Sequence, residues 1–272
     1  MQCKTAADEG TPIPIHQHNQ QVTFVNISQQ FTYAYNANWQ FTFQIPFQYR
    51  NIKIAYNLLD GSVYEPPYAG LHHRNENLFG IGDAGFQTRY FFILQDWTIG
   101  LSAGTSVPLG KIEEDPYLLG ALGEPHQHFQ MGTGTFIPMI ATNIIYQKND
   151  IGFLFSGQSD MSLYENKLFY RPGSSWNWNL GLWYQWSPKN MSLIQMVGRH
   201  EGIDIWRNLP APFSGRDALG IVWSQAIKIQ QSRELLLRVE QQIFAKNKIS
   251  NMPTERESFP LYRTFTFGYT FF

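Results

Sequence analysis

The sequence predicts an all-β fold: a transmembrane, antiparallel, up-and-down β-barrel of about twelve strands. Three observations predict it, namely long runs of period-two alternation, connections that alternate between short and long, and an unusual composition. Of the 272 residues, 43% are hydrophobic and 16% aromatic, but only 15% are charged. An average soluble domain carries roughly a quarter charged residues. Here the gap is filled by aromatic and neutral polar residues (21 Phe, 14 Tyr, 8 Trp). Intrinsic disorder is excluded, because so many aromatic groups would not stay solvated. A helical membrane protein is excluded too. The densest apolar run, Tyr90-Phe91-Phe92-Ile93-Leu94, is far short of the ~20 residues a spanning helix needs. A net charge of -1 supplies no global field to attract nucleic acid.

Eleven strands are counted directly, at about 22–35, 39–56, 82–94, 97–109, 134–147, 151–162, 176–187, 191–201, 218–230, 233–245 and 261–272. The second has the clearest pattern. Trp39, Phe41, Phe43, Ile45, Phe47 and Tyr49 alternate with Gln40, Thr42, Gln44, Pro46, Gln48 and Arg50. Side chains on a strand alternate between faces, so one face is apolar and the other polar. The run has the ~9–11 residues of a tilted membrane strand, with an interfacial aromatic at each end. The fourth strand alternates from Trp97 and the seventh from Trp176, where Trp183 breaks the polar side. In the ninth Gln225 interrupts the apolar face, and the tenth sets Leu235, Leu237 and Val239 against Glu234, Arg238 and Glu240. Segments 134–147 and 191–200 alternate poorly, so their faces stay unassigned. Pro46 and Pro108 lack a ladder donor and are expected at a bulge or rim.

Tight turns fall at 36–38, 95–96, 148–150, 188–190 and 231–232, and long connections at 57–80, 110–133, 162–175, 202–217 and 246–259. In an outer-membrane barrel the short ones are periplasmic and the long ones extracellular. Bacterial barrels usually have an even number of strands. Residues 1–20 are therefore read as an N-terminal segment in the lumen, at the rim, or as an irregular twelfth strand, although Pro12 and Pro14 oppose a regular one. The barrel is expected over 21–272. The single Cys3 permits no internal disulfide; a free thiol and a lipidated anchor are both open.

The chain ends Arg263-Thr264-Phe265-Thr266-Phe267-Gly268-Tyr269-Thr270-Phe271-Phe272. This resembles the terminal strand of bacterial outer-membrane proteins, which the barrel-assembly machinery reads. A narrower resemblance covers about 80–157. Gly80-Ile81-Gly82-Asp83-Ala84-Gly85, ending in Arg89-Tyr90, Ser106-Val107-Pro108-Leu109-Gly110-Lys111, and Gly132-Thr133-Gly134-Thr135-Phe136-Ile137-Pro138 are similar to elements of the transporter-like outer-membrane proteins of phenol degradation (the MetA-pathway group). That resemblance implies a channel for small organic molecules.

Six of the seven histidines form close pairs: His16 with His18, His72 with His73, and His126 with His128. Two or three converging imidazoles would suit Cu or Zn, with Glu76, Asp83 or Glu124 completing the set. Topology puts all the pairs at the long-loop end. The expected lumen residues are Arg50, Asp83, Arg89, Trp183, Glu234, Arg238 and Glu240. Both charge signs suit a narrow aqueous pore or a hydrogen-bonded plug. No G-x-S-x-G elbow is present, and pairing His126 or His128 with Ser102 or Ser106 lacks the spacing of the outer-membrane phospholipases, so no enzyme is expected. The Glu113-Glu114-Asp115 run reads as a solvated loop.

The expectation is a passive outer-membrane channel for small molecules, with outer-membrane lipids and the assembly machinery as partners and no certain cofactor. Two alternatives stand beside it: a barrel binding Cu or Zn at its rim, and a structural subunit docking a partner in a surface complex.

Overall fold

The computed structural model describes residues 14–66, 75–126, 129–212, 214–230, 233–248 and 263–271. Its strands are β1 (His16–Ala34), β2 (Trp39–Leu58), β3 (Glu76–Ile81), β4 (Ala84–Ile93), β5 (Trp97–Val107), β6 (Ile137–Lys148), β7 (Ile151–Asp160), β8 (Tyr170–Arg171), β9 (Ser175–Ser187), β10 (Asn190–Glu201), β11 (Ile205–Trp206), β12 (Leu209–Pro210), β13 (Arg216–Gln230), β14 (Arg233–Asn247) and β15 (Arg263–Phe271), with one helix, α1 (Pro116–Leu122). A 12-stranded antiparallel sheet runs β1-β2-β4-β5-β6-β7-β9-β10-β13-β14-β15, with β3 also paired to β2, and β12-β11-β8 form a separate small sheet. The large sheet is the wall of the up-and-down barrel. Its eleven path strands are the eleven read from the sequence. β1 and β15 end the path and run the same way, and no pairing between them occurs among the described residues.

Among the described residues the twelfth strand of the sheet is β3; of the segment expected to hold an irregular strand, residues 11–13 lie outside the described residues. β2 is long enough to pair with two short strands end to end, β4 along Trp39–Gln44 and β3 along Phe47–Ile52. The change of partner falls at Pro46, which has no N–H to give a ladder. Its carbonyl accepts from Gly82 N at 2.8 Å. A proline in a long strand is tolerated because it sits at this break. β1 starts at His16, and His16 to Gln20 pair with Leu58 to Ile54. Five residues expected in a separate N-terminal segment are therefore continuous with the first strand.

The faces are inverted relative to a soluble sheet. Outward apolar groups are exposed (Leu182 64%, Trp186 68%, Ile194 60%, Phe267 77%), whereas inward Ser102, Gln195, Ser224 and Gln242 are buried. An apolar surface of this extent marks contact with lipid. From Trp39 to Tyr49 the outward face of β2 covers about 33 Å of strand, or about 25 Å across a bilayer at the usual tilt, which matches the apolar band of such barrels. Past Tyr49 the face turns to amides: Asn51 Nδ2 and Tyr49 OH both donate to Asn77 Oδ1, at 2.7 and 3.0 Å, and Asn19 donates to Asn57 at 3.0 Å. At the short-turn end, aromatic pairs form a girdle: Trp39–Tyr90, Trp97–Tyr146 and Tyr184–Trp186, with ring centroids 4.9, 4.7 and 4.6 Å apart.

Register settles the two segments whose alternation was poor. Ala141 pairs with Ser102 and Asn143 with Gly100, so the odd residues of β6 face inward. Gln195, Val197 and Arg199 pair with Gly181, Asn179 and Asn177, so the odd residues of β10 do likewise. Both strands carry apolar as well as polar residues inward, which blurs the pattern. Gln225 does face outward, where it accepts from Ser192, itself the acceptor of Trp186 Nε1.

Candidate functional site: a lumen cavity beneath a loop cap

The lumen is built from rungs of cross-strand neighbours. One reads Arg89, Ser102, Ala141, Gln158, Asn177, Arg199, Ala218, and the next Asn143, Ser156, Asn179, Val197, Gly220, Gln242. Between them lies a cavity of about 400 Å³, also lined by Arg238 and Glu240. Toward the short-turn end the rungs turn bulkier. Ile145, Leu154, Gln195 and Val222 share one, and Trp183, Leu193 and Ser224 the next. Val222 has no exposure at all. Trp183 lies across Gly152 on β7, where any Cβ would overlap its ring. It fills the lumen over a glycine that makes room for it.

The charges are arranged in pairs. Arg238 Nη2 lies 2.9 Å from Glu240 Oε2, and Arg199 is ion-paired with Glu201. Arg89 is held differently: its Nε donates to Ser102 Oγ at 2.9 Å, its Nη2 reaches Gln87 Oε1 at 3.4 Å, and its guanidinium stands 5.8 Å from the Phe91 ring. Arg50 donates to Gln48 and lies beside the touching rings of Phe24 and Phe129, 5.8 and 5.3 Å from their centroids. Phe129 belongs to the long connection after β5, so that loop reaches the lumen wall. Glu234 stands opposite Lys228 near the short turn and does not line the cavity.

Asp83 has a different part. Its Oδ1 accepts from Gly110 N at 2.9 Å, and its Oδ2 accepts from Thr133 N and Thr133 Oγ1, both at 2.7 Å. Gly110 and Gly132 meet backbone to backbone, and a Cβ on either would overlap the other. Gly134 takes φ 70°, and Asn166 Nδ2 donates to Thr133 O at 2.8 Å. The three glycine-rich segments singled out in the sequence thus form one knot at the long-loop end, tied by the Asp83 carboxylate.

Above the cavity, buried Tyr170, Trp206 and Ala211 form an apolar cluster within the loops. β8 and β11 bring the connection before β9 against that after β10. Asp204 accepts from Gly173 N at 2.7 Å and from Tyr170 OH at 3.2 Å. Burial raises the Asp204 carboxyl above its ordinary range, and burial beside Asp204 likewise raises the Tyr170 phenol. α1 docks on this unit. Asp115 caps the helix by accepting from Tyr117 N and Leu118 N at 3.0 and 3.2 Å, and its other oxygen lies 3.5 Å from Arg207 Nε. Tyr117 OH donates to Pro212 O at 3.1 Å, and burial, then Asp204 and Asp115, push its phenol up to about 12. Asp115 is thus a helix cap, and Glu113 pairs with Lys111 at 2.7 Å.

The histidines are engaged locally. His126 is buried, with Nδ1 2.9 Å from Glu124 O and its ring against Gly120. His16 Nδ1 lies 2.7 Å from Pro14 O, and its ring is 5.0 Å from that of Tyr64. Among the described residues, no three His, Cys, Asp or Glu side chains are grouped to hold a metal. His72, His73 and His128 lie outside the described residues, as does the side chain of His18. Sequence reasoning put His200 near the long-loop end of its strand but missed its partners: its Nδ1 is 2.7 Å from Asp217 and its Nε2 is 3.0 Å from Lys248 Nζ. It left Arg199 without a face and missed the cap. Only the register of poorly alternating strands and the loop packing bring these together.

No protein-family model matches the chain, and no curated protein does. Among solved structures, the COG4313 outer membrane channel from Pseudomonas putida F1 is similar, with a TM-score of 0.57 and 10% identity over 93% of this chain and 82% of that one. At this identity the likeness bears on the fold, and it agrees with an outer-membrane barrel.

Proposed function

We propose that this protein is a channel of the bacterial outer membrane that lets small organic molecules pass. The observation that carries the reading is the cavity of about 400 Å³ inside a lipid-facing wall. Sites for small organic ligands typically enclose ~300–1,000 Å³ and set a few polar groups among apolar ones. The cavity follows that rule, with the amides of Asn143, Gln158, Asn177, Asn179 and Gln242 on its lining and Ala141, Val197 and Ala218 between them. The outer membrane channel of similar fold supports the reading, as does the resemblance of the Asp83 knot segments to the phenol-degradation group. The cap covers the long-loop mouth, and the Trp183 layer narrows the short-turn side, so passage is for small solutes only.

Reconstitution in planar bilayers tests this. Purified protein gives small, discrete conductance steps, and Trp183→Ala enlarges them. A protein that folds and inserts but shows no openings, with Trp183→Ala equally silent, would mark a plugged scaffold and overturn the channel reading.

A further inference from the structure

We infer that the lumen cavity is a binding site for a small organic carboxylate with a short apolar body. The inference rests on the channel reading, since it names the class of solute for the same cavity.

Two independent features carry it. The first is charge. Arg199 and Arg238 each have a carboxylate partner in Glu201 and Glu240. Arg89 lines the same cavity and is held by neutral groups alone in its hydrogen bonds, Ser102 and Gln87. Its charge faces the cavity without a fixed counter-ion there. A planar guanidinium whose orientation is set by a neighbouring hydroxyl is a preformed carboxylate receptor. The second feature is an unused donor. Gln242 is only 2% exposed, and its Oε1 accepts from Arg216 at 3.4 Å, but its Nε2 has no partner. A buried amide N–H without an acceptor is costly. A carboxylate, which only accepts, supplies what both groups lack. An ammonium would add a third donor and meet the Arg89 charge with its own. The apolar body follows from Ala141, Val197 and Ala218 on the same lining, which make no bond with a sugar or polyol.

The test is equilibrium binding to the purified, detergent-solubilised barrel, comparing benzoate with benzamide. The two have the same shape, so the comparison isolates the charge and needs no variant. Benzoate is expected to bind at least about tenfold more tightly. Arg89→Gln, checked for folding by heat-modifiable gel mobility, is expected to weaken benzoate about 10- to 100-fold and benzamide much less. Gln242→Leu is expected to weaken benzoate several-fold. Equal affinity for the two probes, or benzoate binding untouched by Arg89→Gln, overturns the inference. Conductance is read separately. Openings with no benzoate preference leave the channel and remove the carboxylate site, whereas preferential binding without openings keeps the site and removes the channel.

Discussion

Asp83→Ala should loosen the long connection between β5 and β6 while leaving the barrel intact. The carboxylate accepts three hydrogen bonds, from Gly110 N, Thr133 N and Thr133 Oγ1. Bonds to a charged acceptor contribute ~1.5 kcal/mol each at the low end, or about 4.5 kcal/mol together. Asp83 is half-buried, so water takes over part of the lost bonding, leaving about 3 kcal/mol. That corresponds to about a hundredfold in the equilibrium for local opening. Amide hydrogen exchange reads it at two amides that do not donate to Asp83. Met131 N and Gly132 N donate to Lys111 O at 3.2 and 3.0 Å, and their protection should fall about a hundredfold. Amides in the β5–β6 ladder should not change. Asp83→Asn keeps one acceptor oxygen and should fall between. If Met131 and Gly132 exchange at the wild-type rate in Asp83→Ala, the knot is held by glycine packing alone and the assignment fails.

Three further outcomes are expected. Gly152→Ala forces the Trp183 ring aside and should lower stability by about 1–3 kcal/mol, read as the urea midpoint of the lipid-reconstituted barrel. The folded carboxyl of Asp204 is raised by burial, so it contributes stability to the cap at low pH that is lost as pH rises through the raised value. Protection of the Gly173 and Arg207 amides, corrected for intrinsic exchange, should therefore decline with rising pH, and Asp204→Asn should abolish that trend. Asp115→Ala removes the cap of α1 at a cost of about 1 kcal/mol, seen as roughly fivefold faster exchange at Leu119.

The wall was legible because lipid and lumen impose opposite demands on successive residues, and the run from Trp39 to Arg50 records both. Legibility failed where that contrast fades. β10 places Leu193 and Val197 inside beside Gln195 and Arg199, so no period-two reading could orient it. Pro46 was readable as an irregularity, but the split of one wall position into β3 and β4 needs the length of β2 as well as the proline. Among the expected site residues, Arg89, Arg238 and Glu240 do line the cavity, because inward parity on regular strands suffices to place them. Asp83 shared that parity in the sequence, but its backbone partners come from two other segments, and no local signal names them. The cap was invisible for the same reason. β8, β11 and β12 are two residues each, too short for periodicity to register, and they exist only because two loops meet.

The small sheet of the cap has a mechanical consequence. β8 belongs to the connection between β7 and β9, while β11 and β12 belong to the one between β10 and β13, and α1, from a third connection, is fastened to the latter through Tyr117 and Asp115, which meet Pro212 and Arg207. Loops that would otherwise fluctuate independently are thus yoked. Their low-frequency motions collapse from three sets into one, so relaxation rates measured at α1, β8 and β11 should share a single time constant. Fixing any one of the three loops then immobilises the others, and the mouth opens as one body or stays shut.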